Sequence, residues 1–477
     1  MTQSTPLWNF ADLVRASGGT GSGTPSSAIT GFSIDTRSIQ PGDVFVALKD
    51  VRDGHEFVTN AFAKGASLAI VSEDYAAKPG DGALLRVPDP LRALENIGRA
   101  ARARLGSEAR VVAVTGSAGK TGTKEMLRAC FAAVTPGRVH ASDKSYNNHW
   151  GVPLTLARMP ANTCYAVFEI GMNHAGEIMP LSLMVRPHVA IVTTVEAVHL
   201  AHFKSVEEIA EAKAEIFAGL EPGGAAIIPR DNPHYELLTA RAQQRDACLA
   251  SFGLTPDAMV RAQSVAPDAE GSTVTVILSG KPVQYRLAIP GPHIVQNSLA
   301  VAAGLSAAGA DLVQALAALA TASAPPGRGS RIRLSVAGGE ALLIDESYNA
   351  NPASMRAALA TLAEIPRLAY PRRIAVLGDM LELGGKSGEL HRGLAGPIGS
   401  AGIDLVFAAG PNMAMVFELL APAQRGAWAL KSVGIAEALQ QAVRPGDVIM
   451  IKGSNGSRMA PLVEMLKKQY GGGSAVP

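Results

Sequence analysis

Apolar residues fall in short continuous runs along this chain, and polar residues gather where the runs stop. Between residues 26 and 90 the runs are brief. Ala28–Ile34, Asp43–Leu48, Leu68–Val71 and Leu84–Val87 read as strands, and Pro41-Gly42 turns the chain before the second. From Leu91 to Leu105 the period changes. Leu91, Leu94, Ile97 and Ala101 share one helical face beside several arginines, which predicts a connecting helix with a solvated basic face. From Arg110 to about residue 320, strands Val111–Val114, Tyr165–Ile170, Val189–Val195 and Ala225–Ile228 alternate with helical stretches. Unbroken apolar runs of this kind suit parallel strands covered on both faces. Strand-like stretches such as Ser272–Leu278 follow, then a Gly-Pro break at 291–292 and a helical Asn297–Leu319. Ala324-Pro325-Pro326-Gly327-Arg328-Gly329 reads as a linker. Beyond it lies a second α/β stretch with strands Ala341–Ile344, Ile374–Leu377, Leu405–Ala408 and Val448–Ile451. The tail Gly471-Gly472-Gly473-Ser474 is expected to be flexible.

The pattern predicts an α/β protein of three domains. These are a small α/β domain over 1–108, a P-loop-type, doubly wound and mostly parallel sheet over 109–325, and a Rossmann-like α/β domain over 326–477. Composition refines this mainly by exclusion. With 477 residues the chain exceeds one core, and 47% apolar against 18% charged residues fills several. Forty-three basic and 41 acidic residues leave a charge of +2, which gives no electrostatic reason to expect nucleic acid. Three cysteines without a CxxC pair favour a reducing compartment. The start lacks a signal-peptide pattern, and no stretch approaches the roughly 20 apolar residues that span a bilayer. A cytoplasmic protein without a membrane span is expected.

The chemistry begins at Thr115-Gly116-Ser117-Ala118-Gly119-Lys120-Thr121, which follows a strand and opens a helix. Glycines let backbone N–H groups approach phosphate oxygens, Lys120 adds charge, and Thr121 can reach Mg²⁺. The first glycine of the eight-residue phosphate-loop pattern would fall on Val114, so the pattern is incomplete. Other strands also end in chemistry: Glu169 closes one, and Glu196 with His199 follows another. Carboxyl ends of strands in a doubly wound sheet share one edge. Glu169, Glu196 and His199 are therefore expected near the phosphate loop, as oxygen and imidazole ligands for Mg²⁺ on ATP.

Lys213 stands out by position. Ser205 and Glu208 have the form of a capping box, and the helix they open carries an apolar stripe of Ile209, Ile216, Phe217 and Leu220. Lys213 projects from that stripe, where an ammonium is costly unless it is paired or altered. The reading is a lysine with a task at the phosphate or metal site, against a lysine snorkelling to solvent. In the last third, Asp345-Glu346-Ser347-Tyr348-Asn349-Ala350-Asn351-Pro352, Gly378-Asp379-Met380 and Lys452-Gly453-Ser454 sit at strand ends. Two such edges facing each other would make a cleft that closes over ATP.

In order along the chain, these runs resemble the Mur ligases. The match takes in Ser33-Ile34-Asp35-Thr36-Arg37, Asp53-Gly54-His55-Glu56-Phe57, the phosphate loop, Asn147-Asn148 and Glu169-Ile170-Gly171-Met172-Asn173-His174. It continues through Ala212-Lys213-Ala214-Glu215-Ile216, Asp345 to Pro352, and Gly378-Asp379-Met380-Leu381-Glu382-Leu383-Gly384. Within the family, two of these runs resemble the branch that adds D-alanyl-D-alanine to UDP-N-acetylmuramoyl-tripeptide, an ATP-dependent step of cell-wall synthesis.

The resemblance implies that the N-terminal domain holds the UDP-sugar through Ser33, Asp35, Thr36 and Arg37, with Asn147 and Asn148 also toward substrate. It implies an ATP site at Thr115 to Thr121 with Asn297, Arg328, Asp345 and Asn349. Mg²⁺ would be held by Thr121, Glu169, His199 and a Lys213 carbamylated by CO₂. Lys120, His199, Lys213 and Arg328 would carry the chemistry of a monomer. Two positions depart from the family pattern: Ile294 stands for an asparagine in Gly291-Pro292-His293-Ile294-Val295-Gln296-Asn297, and Glu346 for an aspartate. Sibling amide ligases, including folylpolyglutamate synthase, share the loop and the lysine. A P-loop kinase or hydrolase, or a nucleotide-gated binding module, would share the loop alone.

Overall fold

Successive residues of a strand point to opposite faces of its sheet, so each continuous apolar run feeds two cores at once. The computed structural model describes residues 6–143, 145–198, 200–268 and 271–476. The first sheet comprises β1 (Thr20–Ser22), β2 (Gly31–Ser33), β3 (Asp43–Val46), β4 (Leu68–Ser72) and β5 (Leu84–Val87). Its order is β1-β5-β4-β3-β2, parallel except for β1. The second comprises β6 (Arg110–Thr115), β7 (Val139–Ala141), β8 (Tyr165–Glu169), β9 (Val189–Val192), β10 (Ala225–Pro229), β11 (Cys248–Gly253), β12 (Val260–Asp268), β13 (Gly271–Leu278) and β14 (Lys281–Leu287). Their order is β14-β13-β12-β11-β10-β9-β6-β8-β7. The strands from β7 to β12 are parallel, and β13 and β14 finish the sheet as an antiparallel meander. Strand β6 lies between β8 and β9, so the chain leaves it in both directions. That is the switch point where α/β sheets take their ligands.

The third sheet comprises β15 (Ser330–Val336), β16 (Gly339–Glu346), β17 (Arg372–Gly378), β18 (Leu405–Ala409), β19 (Arg425–Ala429), β20 (Asp447–Lys452) and β21 (Gly472–Val476), in the order β19-β18-β17-β20-β16-β15-β21. The strands from β19 to β16 are parallel. The Gly-rich tail, expected to be flexible, instead adds β21 antiparallel to β15. Main-chain pairing needs no side chains, and β15 would otherwise present an open edge.

The helix Pro90–Ala103 is sandwiched between the first two sheets. Leu94, Ile97 and Ala101 are fully buried and share one core with Val44, Val46 and Ile70 of the first sheet and Val111, Ala113 and Phe168 of the second. Gly98 permits a close helix crossing, since a methyl there would lie 3.2 Å from Leu156 Cβ. Truncating a side chain such as Leu94 in this seam costs about 2–5 kcal/mol. The other face of the second sheet, through Val112, Val114, Val167 and Ile191, packs on the helices Lys120–Val134 and Pro292–Ala307.

Two further expectations change. The basic face of Pro90–Ala103 is not simply solvated. Arg102 is buried, and donates to Val185 O (2.9 Å) and Glu221 Oε1 (3.1 Å). Arg104 lies over the Trp8 ring at 3.9 Å and donates to Leu7 O and Met159 O. Arg102 and Arg104, at the covered end of the helix, take main-chain carbonyls, while Arg92 and Arg99 stay exposed. The expected single helix over 297–319 is two, Pro292–Ala307 and Leu312–Ala317. Pro292 pre-sets the first turn, and Gly309 breaks the run at φ 72°.

Burial also sets an acid limit. Val111 N–H donates to His188 Nδ1 (3.0 Å) beside the first residue of β6. Burial, with Arg102 and Arg110 nearby, pushes this imidazole down to about 4. Burial pushes His140 to about 4 as well, against the hydrogen bond it makes to Thr155 O. Both histidines therefore fold neutral, while the unfolded chain protonates near 6.5. The unfolded state binds more protons below that value, so stability is complete above 6.5 and falls as the pH drops towards 4. Urea unfolding is expected to show this loss between about pH 7 and pH 5. His188→Asn is expected to flatten the slope by up to about 1.4 kcal/mol per pH unit. An unchanged slope would contradict the assignment.

Candidate active site

Strand β6 ends at buried Thr115, and the loop that follows turns tightly because two glycines allow it. Gly116 has φ 149° and Gly119 has φ 81°. A Cβ would lie 1.9 Å from Thr193 Oγ1 at the first and 2.4 Å from Asn297 Oδ1 at the second. The loop is held from β9: Thr193 Oγ1 donates to Ala118 O (2.5 Å) and Thr115 O (3.2 Å), and Ser117 N donates to Thr194 O (2.8 Å). Lys120 begins the helix and donates from Nζ to Gly116 O (2.6 Å). Burial holds its ammonium below the ordinary lysine value. Glu169 opposes that fall and Arg328 adds to it.

At the second residue of the helix, Thr121 Oγ1 donates to Glu169 Oε2 (2.7 Å). Asn147 Nδ2 donates to Glu169 Oε1 (2.7 Å) from the other side. The carboxylate ends β8 and is 1% exposed. Lys213 is 2% exposed, and no hydrogen bond or ion pair joins it to another described residue. Burial, then the nearby Lys120 charge, push its amine well below the ordinary lysine value. The capping box is half formed: Ser205 Oγ accepts from Glu208 N, whereas the Glu208 carboxylate takes Lys204 N.

The opposite wall comes from the third domain. Arg328 leaves the linker, lies over the Tyr348 ring at 4.3 Å and donates from Nη2 to Ser145 Oγ at 3.2 Å. Buried Lys452, at the end of β20, donates to Glu346 Oε2 (3.0 Å) and Asn349 O (3.0 Å). Between the walls lies a cleft of about 480 Å³. Ser117 to Lys120, Glu169, Thr194, Glu196, Asn297, Arg328, Glu346 and Asn349 line it. His293 also faces it. Burial lowers the pKa of this imidazole, and its buried Nδ1 has no partner among the described residues.

The sequence candidates divide by location. Ser117 to Lys120, Glu169, Asn147, Asn297, Arg328 and Asn349 line this cleft, Thr115 and Gly116 lead into it, Thr121 joins it through Glu169, and Lys213 is buried near Lys120, while His199 lies outside the described residues. Asp345 faces away, its carboxylate taken by Gly327 N (2.9 Å), Ser347 N (3.1 Å) and Ser347 Oγ (2.6 Å). Its neighbour Glu346 presents the acid to the cleft instead, because adjacent strand residues point to opposite faces. Asn148 is exposed and caps the following turn instead, accepting from Gly151 N (2.9 Å). Ser33, Asp35, Thr36 and Arg37 form a separate turn after β2, where Ser33 Oγ donates to Asp35 O and Arg37 pairs with Asp35 at 2.6 Å. Arg158 ties that turn to the second domain through Phe32 O (2.8 Å) and Asp143 (3.2 Å). Sequence reasoning passed over Thr193 and Thr194, although two hydroxyls directly after an apolar strand mark its ligand end. Ser145 carried no signal beyond its nearness to Asn147.

Two oxygen ligands side by side, Thr121 and Glu169, fit Mg²⁺, which takes one or two protein oxygens and completes its shell with phosphate and water. No group of three His, Cys, Asp or Glu among the described residues could cage a metal. The same residues include no helix long and apolar enough to cross a membrane.

A phosphate loop at a switch point, closed over by a second α/β domain, defines a nucleotide-binding protein whose site lies between domains. Residues 114–305 match the Mur ligase middle domain, and residues 328–455 match the Mur ligase glutamate ligase domain. The UDP-N-acetylmuramoyl-tripeptide–D-alanyl-D-alanine ligase of Bacillus subtilis (strain 168) is 33% identical over 448 residues, 92% of this chain and 93% of that one. The structure of MurF from Acinetobacter baumannii aligns with a TM-score of 0.82 at 30% identity, covering 97% of this chain and all of that one. MurF ligase from Thermotoga maritima in complex with ADP aligns with a TM-score of 0.75 at 25% identity, over 93% of this chain and 98% of that one. The chain belongs to the Mur ligase family.

The loop geometry predicts an intolerant position. Gly119→Ala places a side chain at a left-handed φ, costing roughly 1–2 kcal/mol, and against Asn297 Oδ1. ADP affinity by calorimetry is expected to fall more than about tenfold. Unchanged affinity would contradict the loop's role.

Proposed function

We propose that this chain joins D-alanyl-D-alanine to UDP-N-acetylmuramoyl-tripeptide, using ATP, and so completes a peptidoglycan precursor. The observation that carries the reading is the cleft between domains, with the phosphate loop and buried Glu169 on one wall and Arg328 and Glu346 on the other, and with buried Lys213 near Lys120. The UDP-sugar end would lie on the Ser33–Arg37 turn, in a division of the chain at 1–108, 109–325 and 326–477.

In the proposed reaction a carboxylate oxygen of the tripeptide attacks the γ-phosphorus of ATP. The bond from that phosphorus to the ADP oxygen breaks, leaving an acyl phosphate. The dipeptide amine then attacks the acyl carbon, loses a proton, and phosphate departs with the former carboxylate oxygen. Lys120, released from Gly116 O, and Arg328, released from Ser145, neutralise charge on the transferring phosphoryl group, while the loop N–H groups orient it. Thr121, Glu169 and His199 are the proposed Mg²⁺ ligands, and bound Mg²⁺ supplies charge neutralisation at the phosphates.

Lys213 fits a carbamate. An unpaired buried ammonium is unfavourable, a lowered pKa leaves a neutral amine able to add CO₂, and the carbamate anion would sit beside Lys120 and the metal. Asn297, Glu346 and Asn349 are the proposed contacts for the rest of the nucleotide. A monomeric state and a cytoplasmic location belong to the same proposal.

Phosphate release measured with UDP-N-acetylmuramoyl-tripeptide and ATP is expected only when D-alanyl-D-alanine is the amine. Release with single amino acids instead would move the chain to a sibling ligase. Lys120→Ala is expected to abolish ligation and to leave binding of the UDP-substrate intact, and near-normal turnover would overturn the phosphate-loop assignment. Lys213→Ala is expected to lose activity that bicarbonate cannot restore and small carboxylic acids partly can. Full activity would rule out the carbamate.

A further inference from the structure

The helix that carries Lys213 changes character two residues later. Val206–Ala214 is α-helical, and Glu215–Gly219 continues as a tighter 3-10 turn. Tightening of this kind is common at the C-terminal end of a helix. Here Glu215 is the residue at the change, and its carboxylate reaches across to another helix. Oε1 accepts from Gly176 N at 2.6 Å, and Oε2 accepts from Ile178 N at 3.1 Å and Met179 N at 3.0 Å. These donors belong to the start of the helix Ile178–Val185, whose own N-cap residue, Glu177, gives it no side-chain cap. Glu177 is engaged elsewhere, with Asn173 N at 2.8 Å and the His174 ring at 3.0 Å. A carboxylate on a helix N-terminus gains both from charge-assisted hydrogen bonds and from the helix dipole.

A second tie joins the same two segments. Ser182 Oγ donates to Ile216 O (2.5 Å) and accepts from Gly219 N (3.2 Å). They lie so close that a methyl at Gly219 would come 2.1 Å from Ser182 O. The helix Ile178–Val185 is reached from Glu169, the end of β8, by the short loop that lines the cleft through Gly171, Met172 and Asn173. Through Glu215, the segment bearing Lys213 and the segment bearing Glu169 become one rigid unit.

We infer that Glu215 is a positioning residue, which holds the segment bearing Lys213 in register with the segment bearing Glu169 and thereby sets how tightly Thr121, Glu169 and Lys213 together hold a metal. Glu215 contacts neither metal nor nucleotide in this account and acts only through Lys213. The inference rests on the proposed metal reading of Thr121, Glu169 and Lys213.

The test measures ADP affinity by calorimetry with and without Mg²⁺, alongside thermal unfolding. Glu215→Gln keeps the shape but loses the charge and aims an amide at backbone N–H groups. It is expected to weaken the Mg²⁺-dependent gain in ADP affinity by about 10–100-fold, as the loss of a partner behind a metal ligand does, and to leave metal-free ADP affinity unchanged. Glu215→Asp keeps the charge one methylene short, and is expected to show the same loss in smaller measure, which serves if the glutamine variant does not fold. Leu238→Ala cuts into the core of the helix packed against Val206–Ala214 and destabilises without touching the cap. It is expected to leave the Mg²⁺-dependent gain intact. If the Glu215 variants lose only thermal stability, or if Leu238→Ala loses the gain equally, the positioning role is wrong. Lys213→Ala separates the two levels. Should it keep the gain, the metal reading fails and this inference with it. Should it lose the gain while the Glu215 variants keep it, only the positioning role fails.

Discussion

A carboxylate buried at the end of β8 organises this molecule. Glu169 is 1% exposed, and burying an acid without compensation is prohibitive. Its two oxygens are met by Thr121 from the phosphate-loop helix and Asn147 from the loop after β7, so three segments distant in sequence are drawn to one point. The field of that acid supports the half-buried Lys120 ammonium, whose pKa would otherwise fall further. Lys213 gains no such support: burial and the Lys120 charge both disfavour its ammonium. On the proposed reading this imbalance is functional: the two neighbouring lysines lack negative charge until the nucleotide phosphates and a CO₂-derived carbamate supply it.

The second constraint is the seam between the second and third domains. Arg328 and Ser145 join across it at 3.2 Å, and Ala201 N meets Glu382 O at 3.4 Å. The helices Pro292–Ala307 and Pro352–Glu364 also pack across this seam, which keeps the two walls in register. The first and second domains are joined differently. A continuous apolar core runs through the helix Pro90–Ala103, closed by Arg102, Arg104 and Trp8. That junction is built to be rigid, which keeps the Ser33–Arg37 turn at a fixed distance from the phosphate loop.

Much of this was legible in the chain. Unbroken runs such as Val111–Val114 and Ile374–Leu377 announced buried parallel strands, and Gly119-Lys120-Thr121 after a strand announced the ligand edge. Lys213 betrayed itself as a charge inside an apolar stripe, and the structure does bury it. Less visible was anything that depended on main-chain partners. The tail pairs as β21 through backbone groups alone, and Arg102 and Arg104 look like surface residues until the carbonyls they meet are known. Asp345 and Glu346 are adjacent acids, and only the pleat of β16 decides which one faces the cleft. Glu215 stood in full view beside Lys213, but its three donors lie almost forty residues upstream on another helix.

The central claim is that the cleft activates a carboxylate by phosphorylating it. Heavy oxygen in the tripeptide's terminal carboxylate tests this most directly. When the labelled UDP-N-acetylmuramoyl-tripeptide is turned over with ATP and D-alanyl-D-alanine, one heavy oxygen is expected in each phosphate released, with the other retained in the new amide. Unlabelled phosphate accompanying labelled product would mean that water or the amine, and not the carboxylate, met the γ-phosphorus, and the account would fail.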